Sequence, residues 1–314
     1  MLPVLTVTLN PALDLTTSVA SIRPLQKLRC SVPRLDPGGG GINVSRAIKE
    51  LGGESHAFVA IGGHTGEQLR ELLRSTCLSI EYWPLVGETR TSITVMNETD
   101  GLPYRFVLPG PTISPFEAGA ILDRLAARIH RYGGYVVASG SLPPGVPDNF
   151  YARLAKRTRE LGGRFVIDSH GAALRAATDE RPYLVRLNHL EAQELIGGES
   201  TAAAHQLASQ LVDRQLAEVA IVTVGENGAI VATRDGQMEI RPPHVTVRSG
   251  VGAGDSFVAA LVYGLSNGWP LEDAARYGVA AAAAAVTTEA TELCKRDTVE
   301  ALYTQIAGPL RPAA

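Results

Sequence analysis

A glycine-rich stretch ending in a carboxylate is the part of the sequence best suited to chemistry: residues 250–256, Gly-Val-Gly-Ala-Gly-Asp-Ser. Glycines let backbone N–H groups turn toward a ligand, and a helix start adds unpaired N–H donors that suit a phosphate. A carboxylate at that point can take a proton from an attacking hydroxyl. The stretch therefore predicts phosphoryl transfer with Asp255 as the base. The alternative is a plain helix N-cap, a position that Asp often occupies.

A second run of glycines, residues 38–41, leads into a predicted helix at 42–51 and is another candidate phosphate loop. Further polar residues follow predicted strands, and each of them alone is explained as simply by a turn. Because ligands gather at the carboxyl ends of parallel strands, we expect these residues to meet at one edge of a sheet. They are Asp14, Ser139, Asp168, Asn188 and Glu191.

Two further segments suit a nucleotide. Asn188 and Glu191 stand three apart at a predicted helix start, so both could face a hydrated magnesium ion that bridges nucleotide phosphates. The alternative is a capping box in which each side chain bonds the other's backbone. Residues 223–228 follow a strand as a backbone cradle for a nucleotide would, although a β-turn explains them equally well.

Four basic residues lie in or beside two segments that interrupt the main pattern. A phosphate group on the substrate would need such donors, and Arg offers two in a fork. For any single one of them the alternative is a solvated surface. They are Lys27, Arg29, Arg90 and Arg105.

Composition narrows the class of protein. The formal net charge of −3 over 314 residues gives no footprint for nucleic acid, so no nucleic-acid partner is expected. The three cysteines are far apart, which argues against a disulfide framework or a zinc site and fits a reducing cytosol. The start of the chain lacks a charged region and runs into a strand pattern, so we expect no signal peptide. The apolar run at 279–286 is too short to span a bilayer, so we expect no membrane span and, with the few cysteines, a cytoplasmic location.

Predicted strands and helices alternate, which indicates an α/β fold with a mostly parallel sheet covered by helices on both faces. Residues 12–37 and 89–108 break this alternation with irregular strands and a hairpin. We expect them to form one small β-sheet that covers a site. The predicted core is residues 1–11, 38–88 and 109–314, and the predicted lid is residues 12–37 and 89–108.

With PGGGGINVSRAI near the start, Asn188 to Glu191 in the middle and VGAGDSFVAAL near the end, nearly the whole chain resembles the PfkB (ribokinase-like) family of carbohydrate kinases. TLNPALDLTT resembles the branch that acts on phosphorylated hexoses. The segments KLRC, PYRFVLPGP and SGSLPPGV resemble its phosphofructokinase-2 type. The resemblance implies a Rossmann-like ribokinase fold, ATP with Mg²⁺, and a β-sheet lid that also forms a homodimer interface.

The resemblance also implies residue roles. Asp255 would be the catalytic base, with the N–H groups of Gly252, Ala253 and Gly254 as its anion hole. Positions near the sugar and its phosphate are Asp14, Lys27, Gly38, Gly39, Gly40, Asn43, Arg90, Arg105, Ser139 and Asp255. Positions near the nucleotide are Arg186, Asn188, Thr223, Gly225, Gly228 and Gly254. Asn188 and Glu191 would hold Mg²⁺ through water, and Ser249 and Val251 would lie at a K⁺ site.

The chain departs from the family pattern in two places. Arg186 stands where the family usually has Lys, which changes the reach of a phosphate contact. In the 287–292 segment, which the resemblance assigns to adenine and a monovalent cation, Ala290 replaces Gly and Glu292 replaces a basic residue. These replacements argue against activation by K⁺.

The expected function is ATP-dependent phosphorylation of fructose 6-phosphate to fructose 1,6-bisphosphate. Fructose 1-phosphate and tagatose 6-phosphate are alternative substrates within the same class. A sugar-phosphate sensor with little catalysis on the same fold is an alternative of another class, suggested by Arg186 and the 287–292 segment. The intact Asp255 and its glycine loop weigh against a sensor.

Overall fold

A computed structural model of the chain describes residues 1–132, 134–197, 202–289 and 291–307. The strands are β1 (Val4–Thr8), β2 (Ala12–Val19), β3 (Arg34–Gly38), β4 (His56–Gly62), β5 (Ser79–Leu85), β6 (Arg90–Asn97), β7 (Leu102–Val107), β8 (Tyr135–Ser139), β9 (Arg164–Asp168), β10 (Leu184–Asn188), β11 (Val219–Thr223), β12 (Ala229–Thr233) and β13 (Gly236–Ile240). The helices are α1 (Gly40–Glu50), α2 (Gly63–Arg74), α3 (Pro115–Tyr132), α4 (Phe150–Glu160), α5 (Gly171–Thr178), α6 (His189–Ile196), α7 (Ala204–Asp213), α8 (Ala253–Ser266), α9 (Leu271–Ala285) and α10 (Arg296–Ala307).

The main sheet has nine strands in the order β13-β12-β11-β10-β9-β8-β1-β4-β5. From β11 to β5 all neighbours run parallel, while β12 and β13 are added as antiparallel hairpins. Successive side chains of a strand point to opposite faces, so Val136 packs among residues of α3 and α4, and Val137 packs among residues of α8 and α9. The predicted α/β fold with helices on both faces is confirmed.

The sequence did not predict β5 and α5, because both have weak sequence patterns. β5 is an edge strand of mostly half-buried residues that contains Glu81 and Pro84, so it lacks the apolar run of a central strand. α5 has only eight residues, mostly Ala and Gly, which is too short for a clear helical period.

Among the helices whose observed boundaries differ from the predicted ones, α8 matters most for the site. It was predicted at 255–267 but begins at Ala253, so Ala253 and Gly254 belong to its first turn. α7 was predicted at 201–216 and is seen from Ala204, while residue 201 lies outside the described part of the chain.

None of the helices in the described ranges has the length and hydropathy needed to cross a membrane.

The second sheet has four strands in the order β3-β2-β6-β7. Residues 12–37 were predicted as irregular strands, but β2 and β3 are regular and pair antiparallel, with residues 20–33 as the loop between them. β2 pairs parallel with β6, which brings the two inserted segments of the chain together in one sheet.

Candidate active site

The start of α8 presents backbone donors to the site. Gly252 is the N-cap in a left-handed conformation with φ 78°, which favours glycine. The Ser256 N–H, 2.8 Å from the Gly252 carbonyl, makes the first bond of the helix. The N–H groups of Ala253 and Gly254 come before that bond, so they are the donors that a helix leaves without an internal partner. This is the geometry that an anion hole requires.

Asp255 lies in the first turn of α8 and faces away from it toward two other elements. Asn43 of α1 donates a hydrogen bond from Nδ2 to Oδ2 over 3.0 Å, and Ser139 at the end of β8 donates from Oγ to Oδ1 over 3.2 Å. Burial, and then the charge of Asp168, raise the pKa of Asp255 to about 6, against the opposing effects of these two donors and of Arg186. Such a carboxylate is ionised at neutral pH yet basic enough to take a proton.

The glycine run at 38–41 allows three functional side chains to converge. A Cβ on Gly38 would lie 2.3 Å from Oδ2 of Asp14, and one on Gly40 would lie 2.1 Å from Oγ of Ser139. Any side chain there would push Asp14 or Ser139 out of place. Gly39 has φ 118°, a conformation that other residues rarely adopt, and it caps α1, which carries Asn43.

A cavity of about 330 Å³ lies between the two sheets, next to Asp255. Arg90 of β6 and Arg105 of β7 border it from the small sheet, and Asp14 of β2 lies between them and α1. Burial raises the pKa of Asp14 to about 6, although Arg105 and Arg90 act in the opposite direction. The cavity is thus lined by two guanidinium groups and by the carboxyl groups of Asp14 and Asp255. Its lining includes Asp14, Gly39, Gly40, Asn43, Arg90, Arg105, Ser139, Asp168, Glu191 and residues 250–252, 254 and 255.

A second cavity, of about 360 Å³, lies on the other side of the α8 N-terminus. Its walls are mainly apolar, from Val245, Val279 and neighbouring residues, and Thr223, Gly225 and Gly228 also line it. An apolar cavity with a few polar groups suits a purine base and its ribose.

Arg186 and Gly254 border both cavities. The Arg186 guanidinium contacts Asp168 Oδ2 from Nη1 over 3.3 Å and donates from Nη2 to Thr223 Oγ1 over 2.9 Å. A Cβ on Gly254 would lie 2.7 Å from Arg186 Nη1, so this glycine lets the guanidinium approach the helix start. Positive charge and backbone donors therefore meet where the two cavities adjoin.

Asn188 and Glu191 form the capping box that the sequence left open as an alternative. The Glu191 N–H bonds Oδ1 of Asn188 over 2.9 Å, and the Asn188 N–H bonds Oε2 of Glu191 over 2.8 Å. Glu191 nevertheless borders the cavity between the two sheets, which we call the sugar-side cavity because most of the residues expected near the sugar line it. Within the described ranges no three His, Cys, Asp or Glu side chains cluster closely enough to hold a metal ion by themselves.

Lys27 is not brought to this site. It is exposed in the loop between β2 and β3, as is Arg29, and neither side chain lines either of the two cavities. The basic residues that reach the sugar-side cavity from the small sheet are Arg90 and Arg105.

The proposed K⁺ position lies in the loop before α8. The Val251 N–H donates to Ser249 Oγ over 3.2 Å, and the Arg248 and Ser249 N–H groups both bond the Val286 carbonyl. Ala290 lies outside the described residues. In the loop after α9, Glu289 pairs with Arg248 at 3.2 Å and Glu292 pairs with Arg34 at 3.2 Å. Two guanidinium groups therefore contact the acidic residues of that loop.

Two residues that position the site were given no role from the sequence. Arg46 of α1 donates from Nη1 to the Pro37 carbonyl over 3.1 Å and to Asn43 Oδ1 over 3.2 Å, which turns the Asn43 amide N–H₂ toward Asp255. Burial lowers the pKa of this guanidinium. Its position three residues after Asn43, on the same helix face, was the available signal. Asp168, which the sequence predicts only as one of several polar strand-end residues, pairs with Arg186 at 3.3 Å and orients its guanidinium.

Known proteins resemble the chain over nearly its whole length. The model of the pfkB family of carbohydrate kinases matches residues 7–298. The ATP-dependent 6-phosphofructokinase isozyme 2 of Mycobacterium tuberculosis is 42% identical over 98% of this chain and 90% of the relative. The 1-phosphofructokinase of Bacillus subtilis is 33% identical over 96% of this chain and 97% of the relative.

Solved structures agree with these sequence relatives. Phosphofructokinase-2 of Escherichia coli in complex with potassium superposes with a TM-score of 0.91 at 36% identity, covering 98% of this chain and 100% of that one. The same protein in complex with fructose-6-phosphate gives a TM-score of 0.90 at 35% identity over the same shares of the two chains. The chain therefore belongs to the pfkB family of carbohydrate kinases, and it is an ATP-dependent sugar kinase of the phosphofructokinase-2 type.

Proposed function

We propose that this kinase transfers the γ-phosphoryl group of MgATP to the free primary hydroxyl of fructose 6-phosphate and forms fructose 1,6-bisphosphate. One observation carries the proposal: Asp255 borders a cavity that also holds two arginines, and the helix start before it adjoins a second, nucleotide-sized cavity. Acceptor, base and donor would then stand in the order that phosphoryl transfer requires.

Each group has a task in this proposal. Asp255 removes the proton from the attacking hydroxyl, and the N–H groups of Gly252, Ala253 and Gly254 stabilise charge on the transferring phosphoryl group. Arg186 adds positive charge at the same point. Catalysis of this kind depends on positioning and electrostatics, because little covalent chemistry is left to the protein.

The sugar is held from the small sheet and from α1. Arg90 and Arg105 bind its phosphate, because two guanidinium groups suit a doubly charged oxyanion. Asp14, Asn43 and the backbone at Gly38, Gly39 and Gly40 bind its hydroxyl groups, with Ser139 beside them.

Magnesium belongs to this proposal as part of the substrate MgATP. Oxygen ligands suit the ion, and it usually keeps several waters beside its phosphate contacts. Glu191 faces the sugar-side cavity while its other oxygen caps α6, so it can hold such a water. Asn188 acts through Glu191, whose backbone it caps. Thr223, Gly225 and Gly228 hold the nucleotide.

The choice of fructose 6-phosphate is supported by the relatives named isozyme 2 and by the Escherichia coli complex with this sugar phosphate. The Bacillus subtilis relative, a 1-phosphofructokinase, supports fructose 1-phosphate as the second candidate. The same cavity groups would serve both sugars, since they differ in which end carries the phosphate. Tagatose 6-phosphate differs from the first choice by one hydroxyl configuration.

A panel of acceptors tests the proposal. ADP release is measured with fructose 6-phosphate, fructose 1-phosphate, tagatose 6-phosphate and unphosphorylated fructose, at fixed MgATP. We expect the highest kcat/KM with fructose 6-phosphate, and a value for fructose lower by at least about a hundredfold, since the two phosphate-binding arginines are then left unpaired. A preference for unphosphorylated sugars or nucleosides would refute the roles of Arg90 and Arg105. Binding of both substrates without ADP formation would favour the sensor.

We further propose that the small sheet, residues 12–37 and 89–108, is a lid and also joins two copies of the chain. Leu102, Tyr104 and Phe106 of the edge strand β7 are exposed. They alternate with Arg105 and Val107, which border the sugar-side cavity, so they point to the opposite face of the sheet. An apolar face of this kind on an edge strand is typical of an association surface.

A further inference from the structure

Four side chains join the small sheet to the loop that follows α9. Thr291 donates a hydrogen bond from Oγ1 to Asp36 Oδ2 over 2.7 Å. Arg34 reaches Glu292 from Nη1 to Oε1 over 3.2 Å. Arg34 and Asp36 belong to β3, while Thr291 and Glu292 belong to the loop, so the network connects two parts of the chain that are far apart in sequence.

Asp36 is the centre of this network. It is only 7% exposed, and Arg34 grips it with Nε at 2.8 Å from Oδ2 and Nη2 at 3.1 Å from Oδ1. A buried carboxylate that loses its cation is strongly destabilising, whereas a two-pronged pair of this kind is stable. Arg34 and Asp36 therefore stay together, and the contacts to Thr291 and Glu292 are the ones that can open and close.

The loop touches the anion hole on its other side. A Cβ on Gly252 would lie 2.8 Å from Cδ2 of Leu293, so Leu293 packs directly against the N-cap of α8. The Cys294 N–H donates to Oγ of the buried Ser256 over 3.3 Å. A displacement of the loop at 291–294 would therefore displace the backbone donors beside Asp255.

The same network reaches the sugar on the side of the lid. Asp36 is the register partner of Asp14, the carboxylate proposed to bind sugar hydroxyls. Pro37, the next residue, bonds Arg46 through its carbonyl, and Arg46 orients Asn43. One end of the network thus lies at the sugar contacts and the other at the phosphoryl-transfer loop.

We propose that Thr291 and Glu292 are positioning residues that couple the lid to the anion hole, so that a bound sugar phosphate tightens the binding of the nucleotide. This inference rests on the proposed function of the two cavities. By linkage the effect is reciprocal, and nucleotide tightens sugar phosphate by the same factor. It also gives a reason for Glu292, which stands where the family pattern has a basic residue: here the guanidinium comes from Arg34 on the lid.

Calorimetry on the full chain tests the coupling without turnover. The dissociation constant of the Mg²⁺ complex of a β,γ-imido ATP analogue is measured with and without saturating fructose 6-phosphate. We expect the sugar phosphate to tighten binding at least about fivefold in the unmodified protein. In Thr291→Val/Glu292→Gln we expect this ratio to fall to within about twofold of one.

The double variant removes both contacts from the loop but leaves Arg34 paired with Asp36, so no buried charge is left without a partner. Thr291→Ser keeps the hydroxyl and should retain the coupling. Glu180→Gln breaks a remote arginine pair of similar exposure, 55% and 31% against 43% and 38% for Arg34 and Glu292, and should also retain it. Thermal unfolding checks that each variant is folded.

The outcomes separate the two proposals. Full coupling in the double variant, or two ligands that bind independently in the unmodified protein, would overturn the coupling and leave the proposed kinase site standing. Loss of coupling in Thr291→Ser or Glu180→Gln would overturn it too, because a general loss of order would then be the cause. If fructose 6-phosphate fails to bind at all, the proposed substrate is wrong and the coupling falls with it.

Discussion

At the scale of single residues, the base depends on a balance of opposed effects. Burial and the nearby Asp168 make the Asp255 carboxyl more basic, while hydrogen bonds from Asn43 and Ser139 limit the effect. The resulting pKa of Asp255 is about 6, so the group is ionised at neutral pH. A group of this kind accepts a proton in the transition state and returns to its ionised form near neutral pH.

The pH dependence of the rate should show this balance. The base works only when ionised, so we expect kcat to fall about tenfold per pH unit below about pH 6 and to level off above it. Because a sugar phosphate also ionises near pH 6, the Ser139→Ala variant supplies the control. It removes a donor that lowers the pKa of Asp255, so the acid limb should move to higher pH, while the ionisation of the substrate does not change. An acid limb at the same pH in both proteins would contradict the assignment.

At the scale of elements, the glycine run before α1 sets how closely β8 and the lid can approach the helix. Gly40→Ala places a Cβ within 2.8 Å of Ser139 Cβ and 2.9 Å of its backbone carbon, so α1 or β8 must shift. A misplacement of catalytic groups by about 1 Å can cost about a hundredfold in rate, and we expect a loss of kcat/KM of that order.

Gly119→Ala is the matched control for this variant. Gly119 lies within α3, where an added Cβ meets no atom within 4 Å. The change should leave kcat/KM unaltered and stabilise the helix by about 0.5–1 kcal/mol, measured by chemical unfolding. A normal kcat/KM for Gly40→Ala would show that the close approach of α1 to Ser139 is not required.

The sequence predicted most of the elements because their periods are clear. Strands such as β8 and β11 are short apolar runs, so alternation predicted a mostly parallel sheet, but it predicted neither the edge strand β5 nor the order of the strands. Local chemistry was also readable, since Asn188 and Glu191 stand at capping-box spacing. The partners of Arg34 could not be predicted, because Glu292 lies 258 positions away and only the tertiary fold brings the two together.

The sequence also did not predict which basic side chains reach the cavity and which remain exposed to solvent. Lys27 and Arg105 are both basic residues in the inserted segments, yet only Arg105 reaches the cavity. The difference comes from β7, whose alternation directs Arg105 inward, whereas Lys27 lies in a loop without such a constraint. The ion pair between Arg186 and Asp168 could not be predicted either. It holds the Arg186 guanidinium where the two cavities adjoin.

At the scale of the whole molecule, the outer face of the lid should determine assembly. Phe106, one of the three residues on the apolar face of β7, is 53% exposed. Phe106→Glu puts a charge into the proposed contact between copies, so we expect a shift from dimer to monomer in light scattering after size exclusion. Phe116→Glu, at an 89% exposed position of α3, is the control and should leave the mass unchanged. A dimer that survives Phe106→Glu would place the interface elsewhere.

The central claim is that Asp255 is the base of a sugar-phosphate kinase, and Asp255→Asn tests it most directly. The amide keeps the size of the side chain and can still contact Asn43 and Ser139, so the variant should fold and bind MgATP and fructose 6-phosphate about as tightly as before. Its single-turnover rate should fall by at least about a thousandfold, because no group at that position can take the proton. A rate near that of the unmodified enzyme, with both substrates bound, would contradict the account.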